Sequence, residues 1–535
     1  MKTKTILYSI LGCLLLGITA WVWPAAPVQE LPDTSRMNIL MINVEDLTTR
    51  AVGCYGNPAV NTPHIDQLAR QGVLFSRAYA QGSMCNPSRS SFNTGLRPLT
   101  TGILGNNDAL DEHLPDSATS LAETLQKKDA YLAHLGKLYH FVPPANEQMS
   151  AFDEVGFCVK PEGFTGVYRY EEDTSCAARR FQYSTDPEIE QTLIERHKKM
   201  KKVEERIPHG GDGWWEQGGK QFYLVYFELL GDSGEPEECM EDGQKARAAA
   251  KIIKEKAAEG QQFFLSVGFD KPHTPTIAPK EYVDQYPPEE TELSAATPDQ
   301  DRNIPAVAKR FGNKPDIFKP GEARDFPQFA QTPEREKKAV SAYYGAASYI
   351  DAQVGLLMNQ LEESGIVDNT IVIFFSDHGF HLGEHGLWSK YSLFEEVVRV
   401  PLIVKVPGQP ATGVQSDRLV ELVDLLPSLC ELWDIPPHDS FEGISWVPLL
   451  EQPDREWKRA AFSTSHLQGY TAHATVTSDY KYNRWTKGDT LVQELYHLAK
   501  DPEEQVNLAE DPDYQKVLKK MQTVEQRGWK GALPR

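Results

Sequence analysis

Basic residues are scarce relative to acidic ones: 55 Lys and Arg stand against 76 Asp and Glu in 535 residues, a formal net charge of -21. That balance excludes broad attraction to nucleic acid or to an anionic membrane surface, and any anionic ligand must be met by a local basic pocket. Cysteine is sparse as well, with seven in the chain. Their spacings offer no Cys-x-x-Cys metal pair and no dense disulfide framework, and Cys158 with Cys176 is the nearest candidate pair. No Asn-x-Ser/Thr sequon is left once Asn86-Pro87-Ser88 is set aside for its proline, which favours a bacterial secretory route. Long apolar runs occur in one place only, where Lys2 and Lys4 precede a run from Ile6 to Trp23, followed by Pro24, Ala25 and Ala26. This is the plan of a signal peptide or, at roughly 18 apolar residues, of an uncleaved anchor over residues 1–26. The expectation is an exported protein, periplasmic or secreted, that meets a membrane only through that segment.

What is present is alternation. The run MNILMINV (Met37 to Val44) has the length of a buried strand and ends at Glu45-Asp46. After a loop, Asn61 or Thr62 can cap a helix whose first turn holds Pro63 and whose inner face carries Ile65, Leu68 and Ala69. Helix and strand patterns return around TSLAETLQKKDAYLAHLGKLYHF, KARAAAKIIKEKAAEGQQFFLSVGF and YIDAQVGLLMNQLEESGIVDNTIVIFFSDHG, which predicts a mainly parallel sheet covered on both faces. Such sheets bind ligands beyond the carboxyl ends of their strands. Four expected strand ends carry polar residues: Glu45 and Asp46, Lys137 and His140, His273, and Asp377 with His378. They are expected to converge on one pocket. Residues 145–245 are less regular, with ERHKKMKKVEER reading as a solvated helix, and residues 280–335 read as a long surface excursion. Beyond VELVDLLPSLCELWDIP the pattern changes to strands in TAHATVTSDYKYNRW and a helix in LVQELYHLAKD. A catalytic domain over 37–430 is therefore expected, followed by a smaller subdomain over 431–535.

In SDHGFHLGEHGLWSK, His381 and His385 stand four residues apart, a spacing that suits zinc on a helix, but Gly379, Gly383 and Gly386 argue for a loop. A hard cation such as Ca2+ needs several oxygen ligands, which carboxylates from two strand ends can supply. The stretch Ser83-Met84-Cys85-Asn86-Pro87-Ser88-Arg89, followed by Thr94-Gly95, resembles the Cys-x-Pro-Ser-Arg signature of type I sulfatases. GK-x-x-H at Lys137 and His140 resembles the second signature of that family. Asn86 and Asn93 are unusual occupants of their positions, both outside the core of the signature. Further likeness to the iduronate-2-sulfatase-like members runs through GCYGNPAVNTPHIDQLARQGVLFSRAY, KPHTP, SDHGFHLGEHGLWSKYSLFE, RVPLIVKVPG and ELYHLAKDPEEQVNLA.

The resemblance implies an alkaline-phosphatase-like α/β fold, a large mixed and mostly parallel sheet sandwiched by helices, with a smaller C-terminal α+β subdomain. It implies that a formylglycine-generating maturation enzyme oxidises Cys85 to Cα-formylglycine, whose hydrate attacks sulfur. One Ca2+ ion would be held by Glu45, Asp46, Asp377, His378 and the modified Cys85, with Glu45 standing where the family usually has Asp. Arg89 would hold the hydrate, Lys137 and Lys390 would offset sulfate charge, and Asp377 is a candidate base for the attack. His273 with Lys390 would protonate the leaving sugar oxygen, and His140 would be the base that releases sulfate. The implied substrate is a sulfated oligosaccharide or polysaccharide, carrying a glycosaminoglycan uronate 2-O-sulfate or another polysaccharide sulfate. The alternatives are a phosphate mono- or diester hydrolase of the same superfamily and a catalytically inactive glycan-binding surface protein.

Overall fold

The computed structural model describes residues 30–140, 146–157, 165–169, 230–294, 301–309, 332–467 and 469–534. The expected leader or anchor, the Cys158 and Cys176 pair and the ERHKKMKKVEER helix lie outside the described residues. Cys54, Cys85 and Cys430 are free, whereas Cys239 is disulfide-bonded, so its partner also lies outside them. Among the described residues no helix is long and apolar enough to cross a membrane.

Apolar runs of strand length with no polar face must be covered on both sides. The strands are β1 (Asn38–Val44), β2 (Val73–Phe75), β3 (Tyr131–Gly136), β4 (Glu154–Gly156), β5 (Val167–Arg169), β6 (Phe263–Phe269), β7 (Thr370–Ser376), β8 (Leu402–Lys405) and β9 (Val414–Ser416). They form one sheet in the order β9-β2-β8-β7-β1-β6-β3-β4-β5. From β7 to β5 every neighbouring pair is parallel, and β8 is antiparallel to both its neighbours, so the sheet is mixed and mostly parallel as expected. Successive side chains of a strand point to opposite faces. Accordingly Ile39 and Met41 enter one core with Phe92, Leu425, Leu429 and Trp433, while Leu40, Ile42 and Val44 enter another with Ala249, Ile253, Tyr343 and Ile350.

Helix α1 (Pro63–Gln71) has Thr62 at its N-cap position, Pro63 at its start and Ile65, Leu68 and Ala69 buried, as the sequence predicts. The Thr62 hydroxyl accepts the Gly53 N–H at 2.8 Å and bonds Asp66 in place of its own cap. Helix α2 (Cys85–Thr94) covers one face of the sheet, and α3 (Glu241–Glu259) and α4 (Pro333–Glu363) cover the other. A second sheet, antiparallel throughout, contains β10 (Ala461–Leu467), β11 (Tyr470–Val476), β12 (Lys481–Lys487) and β13 (Thr490–Tyr496). Helix α5 (Gln515–Ala532) follows it. The segment LVQELYHLAKD, expected as a helix, is instead β13 and a turn. Glu494 in its middle is fully buried and accepts hydrogen bonds from Trp485 Nε1 and Tyr496 Oη, a burial that its polarity conceals in the sequence.

A buried ion cluster links the segment after α2 to the start of β10. Arg97 clasps both oxygens of Glu421, at 2.7 and 2.8 Å, while Lys458 reaches Glu421 at 2.8 Å and Asp424 at 2.6 Å. Glu421 also accepts the N–H of Phe462 in β10. Burial alone would push the Glu421 carboxyl up, but Arg97 and Lys458 hold it at about 2, whereas burial pushes neighbouring Asp424 up. A carboxyl held below its ordinary 4.5 adds stability above that pH, which is lost as pH falls towards 2. Arg97→Leu is expected to cost roughly 3–5 kcal/mol at pH 7, because it leaves the two buried carboxylates of Glu421 and Asp424 sharing the single ammonium of Lys458. It should also flatten the acid decline attributable to Glu421, as read from melting temperature against pH.

Candidate active site

Register places the candidate residues. Val44 at the end of β1 lies beside Ser376 of β7 and Phe269 of β6, and Gly136 of β3 lies beside Gly268 of β6. The residues that follow these four strands therefore leave the sheet at one edge. Gly136 has φ +86°, and a Cβ there would strike the Gly268 carbonyl, while a Cβ on Gly268 would strike the backbone of Lys137. These two glycines let Lys137 come in close to the sheet.

Cys85 opens α2, buried at 2% exposure. Its thiol donates to Glu45 Oε1 at 3.1 Å, receives the Lys390 ammonium at 2.9 Å and stands 3.3 Å from His378 Nε2. Lys390 also donates to Asp46 Oδ1 at 2.7 Å, and Lys137 pairs with Glu45. The His378 Nδ1 bonds the Gly379 carbonyl at 3.0 Å. A carbonyl can only accept, so in the neutral ring the proton sits on Nδ1 and the Nε2 lone pair faces Cys85 and Asp46. His273 has the same arrangement: Nδ1 bonds the Thr274 carbonyl at 2.7 Å, and Nε2 lies 3.8 Å from Glu45 and 4.0 Å from Asp46. Potential ligand atoms converge in three overlapping groups: Asp46, Cys85 and His378; Glu45, Cys85 and Asp377; and Glu45, Asp46 and His273.

Arg89 lies one helical turn beyond Cys85 and is fully buried. Its Nε donates to Asp377 at 2.9 Å, and Nη1 donates to Asn43 Oδ1 at 3.0 Å and to the carbonyls of Lys137 at 2.7 Å and Leu138 at 3.3 Å. These bonds make it an anchor for Asp377 and for the loop that carries Lys137. Asp377 Oδ1 accepts the backbone N–H groups of Asp46 at 3.0 Å and His378 at 2.9 Å. Burial would raise the Asp377 carboxyl, yet Arg89 holds it below the usual range, which makes it a weak base. Burial works the same way on Glu45, overcome by His273, Lys137 and Lys390, so Glu45 lies well below the ordinary value. For the lysines the contest is reversed: burial opposes their charge, but Asp46 keeps Lys390 well above its ordinary value and Glu45 keeps Lys137 raised. The Cys85 thiol is pushed up to about 12, chiefly by burial, against the pull of Lys390 and Lys137. Burial pushes His273 down, although a third of its side chain is open to solvent.

His140 follows Lys137 by three residues and is half-buried. The glycine-rich stretch after Asp377, expected as a loop, is a short hairpin in which His381–Leu382 pairs antiparallel with Trp388–Ser389 around a 3-10 turn carrying His385, and not a zinc-bearing helix. His381 bonds Ser392 Oγ at 2.7 Å, and His385 bonds Asp301 at 2.8 Å and stacks on Phe394. Asn43 and Tyr343 escaped the sequence reading. The second asparagine of the fully buried run NILMINV, set one residue before its end, was a signal that could have exposed Asn43. Tyr343 of α4 donates to the Asp46 carbonyl and accepts the Thr48 N–H at 3.1 Å, bracing Asp46, whose φ is +61°. Its position on an apolar helix face gave no such signal.

Comparison with known proteins fits this geometry. Residues 37–435 match the Sulfatase family, and residues 383–527 match the family described as N-sulphoglucosamine sulphohydrolase, C-terminal. Iduronate 2-sulfatase of Homo sapiens is 27% identical over 580 residues, covering 94% of this chain and 96% of its own. A Delta 4,5-hexuronate-2-O-sulfatase of Bacteroides thetaiotaomicron is 26% identical over 505 residues, covering 92% and 88%. The crystal structure of a phosphonate monoester hydrolase of Agrobacterium radiobacter aligns with a TM-score of 0.66 at 21% identity, over 92% of this chain and 95% of that one, a likeness of fold. The Sulfatase match spans most of the chain, including the buried cysteine, the three acids and the cations gathered around it, and the protein belongs to the sulfatase family of sulfuric ester hydrolases.

Proposed function

We propose that this sulfatase removes a 2-O-sulfate from a uronic acid in a glycosaminoglycan-like saccharide, after Cys85 has been oxidised to Cα-formylglycine and one Ca2+ has bound. The observation that carries the reading is the setting of Cys85, buried in the first turn of α2 with Lys390 at 2.9 Å, Glu45 at 3.1 Å and His378 at 3.3 Å. A thiol pushed up to about 12 is protonated at neutral pH and a weak nucleophile, so the position suits a modified residue better than a cysteine. The sulfur marks where the oxygens of the hydrated aldehyde would stand. That hydrate supplies a nucleophile whose second hydroxyl lets sulfate leave without attack by a separate water.

The donor set fits a hard cation: three carboxylates and one imidazole lone pair. Glu45, Asp46 and Asp377 face Arg89, Lys137 and Lys390, so the side chains balance one another. Ca2+ held by Glu45, Asp46, Asp377, His378 and residue 85 would supply the surplus positive charge that an anionic sulfate ester requires. Lys137 and Lys390, fixed by Glu45 and Asp46, offset charge on the sulfate oxygens. His273 is partly open to solvent and, as the imidazolium that a bound anionic ester favours, gives its Nε2 proton to the departing sugar oxygen, with Lys390 as second donor. His140, on the Lys137 loop, is the base for sulfate release. Support for the sugar comes from the two relatives named for iduronate and hexuronate 2-O-sulfates. A formylglycine-generating enzyme is the required maturation partner, and the site of action is outside the cytoplasm, reached through residues 1–26 as signal or anchor.

A panel of defined sulfated oligosaccharides, with the freed hydroxyl mapped, tests the substrate. Release of uronate 2-O-sulfate is expected, and release only from hexosamine or galactan positions would overturn the assignment. Mass spectrometry of the tryptic peptide around residue 85 tests the nucleophile: full activity in protein lacking the aldehyde would sink it.

A further inference from the structure

A second buried ion cluster lies beside the one that holds Cys85, and the chemistry above does not use it. Lys245 of α3 is fully buried, and its ammonium meets Asp270 at 2.7 Å and Asp242 and Glu241 at 3.1 Å each. Asp242 is also buried, with one carboxylate oxygen accepting the Asp270 N–H and the other the Lys271 N–H, both at 2.9 Å. Asp270 in turn accepts the His273 N–H through its backbone carbonyl at 2.9 Å, and the Lys271 ammonium donates to the His273 carbonyl at 2.9 Å. The stem of Lys245 passes beside Gly136, where β3 hands over to Lys137. Burial opposes the charge of Lys245, but Asp270, Asp242 and Glu241 hold its ammonium well above the ordinary value.

Desolvating a lysine and an aspartate this completely is costly unless both are fully paired. Here the paired groups grip one object, the backbone of residues 270–273 as it leaves β6. A loop held at two successive N–H groups and at the carbonyl of its histidine has little freedom left, and His273 has one side-chain torsion pinned by the bond from Nδ1 to Thr274. The remaining nitrogen, Nε2, is thereby aimed at the edge of the site where Glu45 and Asp46 lie.

We infer that Asp242 and Lys245 are positioning residues, a clamp on the Asp270–His273 loop that sets the reach of His273 towards the leaving-group oxygen. The inference rests on the proposed role of His273 as proton donor. Proton donation matters most when the leaving group is poor, whereas an activated phenol departs unaided. Misplacing the donor should therefore penalise poor leaving groups selectively. A merely structural role would lower all substrates alike.

The experiment uses the full-length, matured enzyme with phenyl sulfate as the poor leaving group and 4-nitrophenyl sulfate as the good one. Asp242→Asn retains one acceptor oxygen and loses the other, and is expected to lower kcat about tenfold on phenyl sulfate and about twofold on 4-nitrophenyl sulfate, with KM little changed. His273→Ala should show the same selectivity more strongly, and adding Asp242→Asn to it should cost little more. Lys245→Met severs the clamp from the other side, and melting temperatures separate loss of fold from misplacement. Equal losses on both substrates, or full additivity with His273→Ala, would overturn the clamp while leaving the proton-donor role standing. An unselective His273→Ala would overturn both.

Discussion

Cys85→Ala is expected to reduce sulfate release to background, a loss of at least about 10^4-fold in kcat, because nothing nearby can replace the nucleophile. The fold should survive. Residue 85 contributes a small buried side chain, while Glu45, Asp46, Lys137 and Lys390 keep their mutual pairs without it. Melting temperature should therefore change little, and ion chromatography of released sulfate reads the activity. Cys85→Ser is the sharper variant. A serine hydroxyl can in principle accept the sulfuryl group but lacks the second hydroxyl that expels it, so at most one sulfate per enzyme should be transferred and retained. Multiple turnovers by the serine protein would show that the aldehyde is dispensable.

Arg89→Met is the second large effect, and it falls on stability as well as rate. Arg89 is completely enclosed and serves one carboxylate, one amide oxygen and two backbone carbonyls. Methionine fills much of the volume but strips Asp377 of its guanidinium partner, a cost of about 3–5 kcal/mol in the metal-free protein. Activity should fall more than about 100-fold, since Asp377 orients the Asp46 and His378 backbone and Arg89 fixes the Lys137 loop. Denaturant unfolding and sulfate release measure the two losses. Arg89→Met with Asp377→Asn should recover part of the stability and none of the activity, because the charge imbalance is relieved while the ligand set is spoiled. A single variant within about 1 kcal/mol of the parent would mean that Asp377 is protonated or solvated in this site.

Much of the layout was legible because its signals are local. An apolar run ending in acids, as at Val44-Glu45-Asp46 or Ser376-Asp377-His378, marks a strand end whatever the sheet order. Glycines at 379, 383 and 386 excluded a zinc helix for the same reason, since backbone preference acts residue by residue. The signature from Cys85 to Arg89 likewise fixed the chemistry to be sought. LVQELYHLAKD misled because a glutamate buried by distant hydrogen bonds looks, in sequence, like one facing solvent.

By itself, then, the sequence determined the alternating elements, the acids, histidines and lysines at strand ends, and the cysteine motif. Only the tertiary structure decided which of these groups touch. Arg89 meets Asp377 across 288 positions, Lys390 meets Asp46 across 344, and Asp242 caps the backbone of Lys271 across 29. Such contacts depend on sheet order and register, which arise from packing two cores against the faces of one sheet. Local patterns carry no record of that packing, so Arg89 could be recognised from its motif while its partner, and the charge balance built around it, could not.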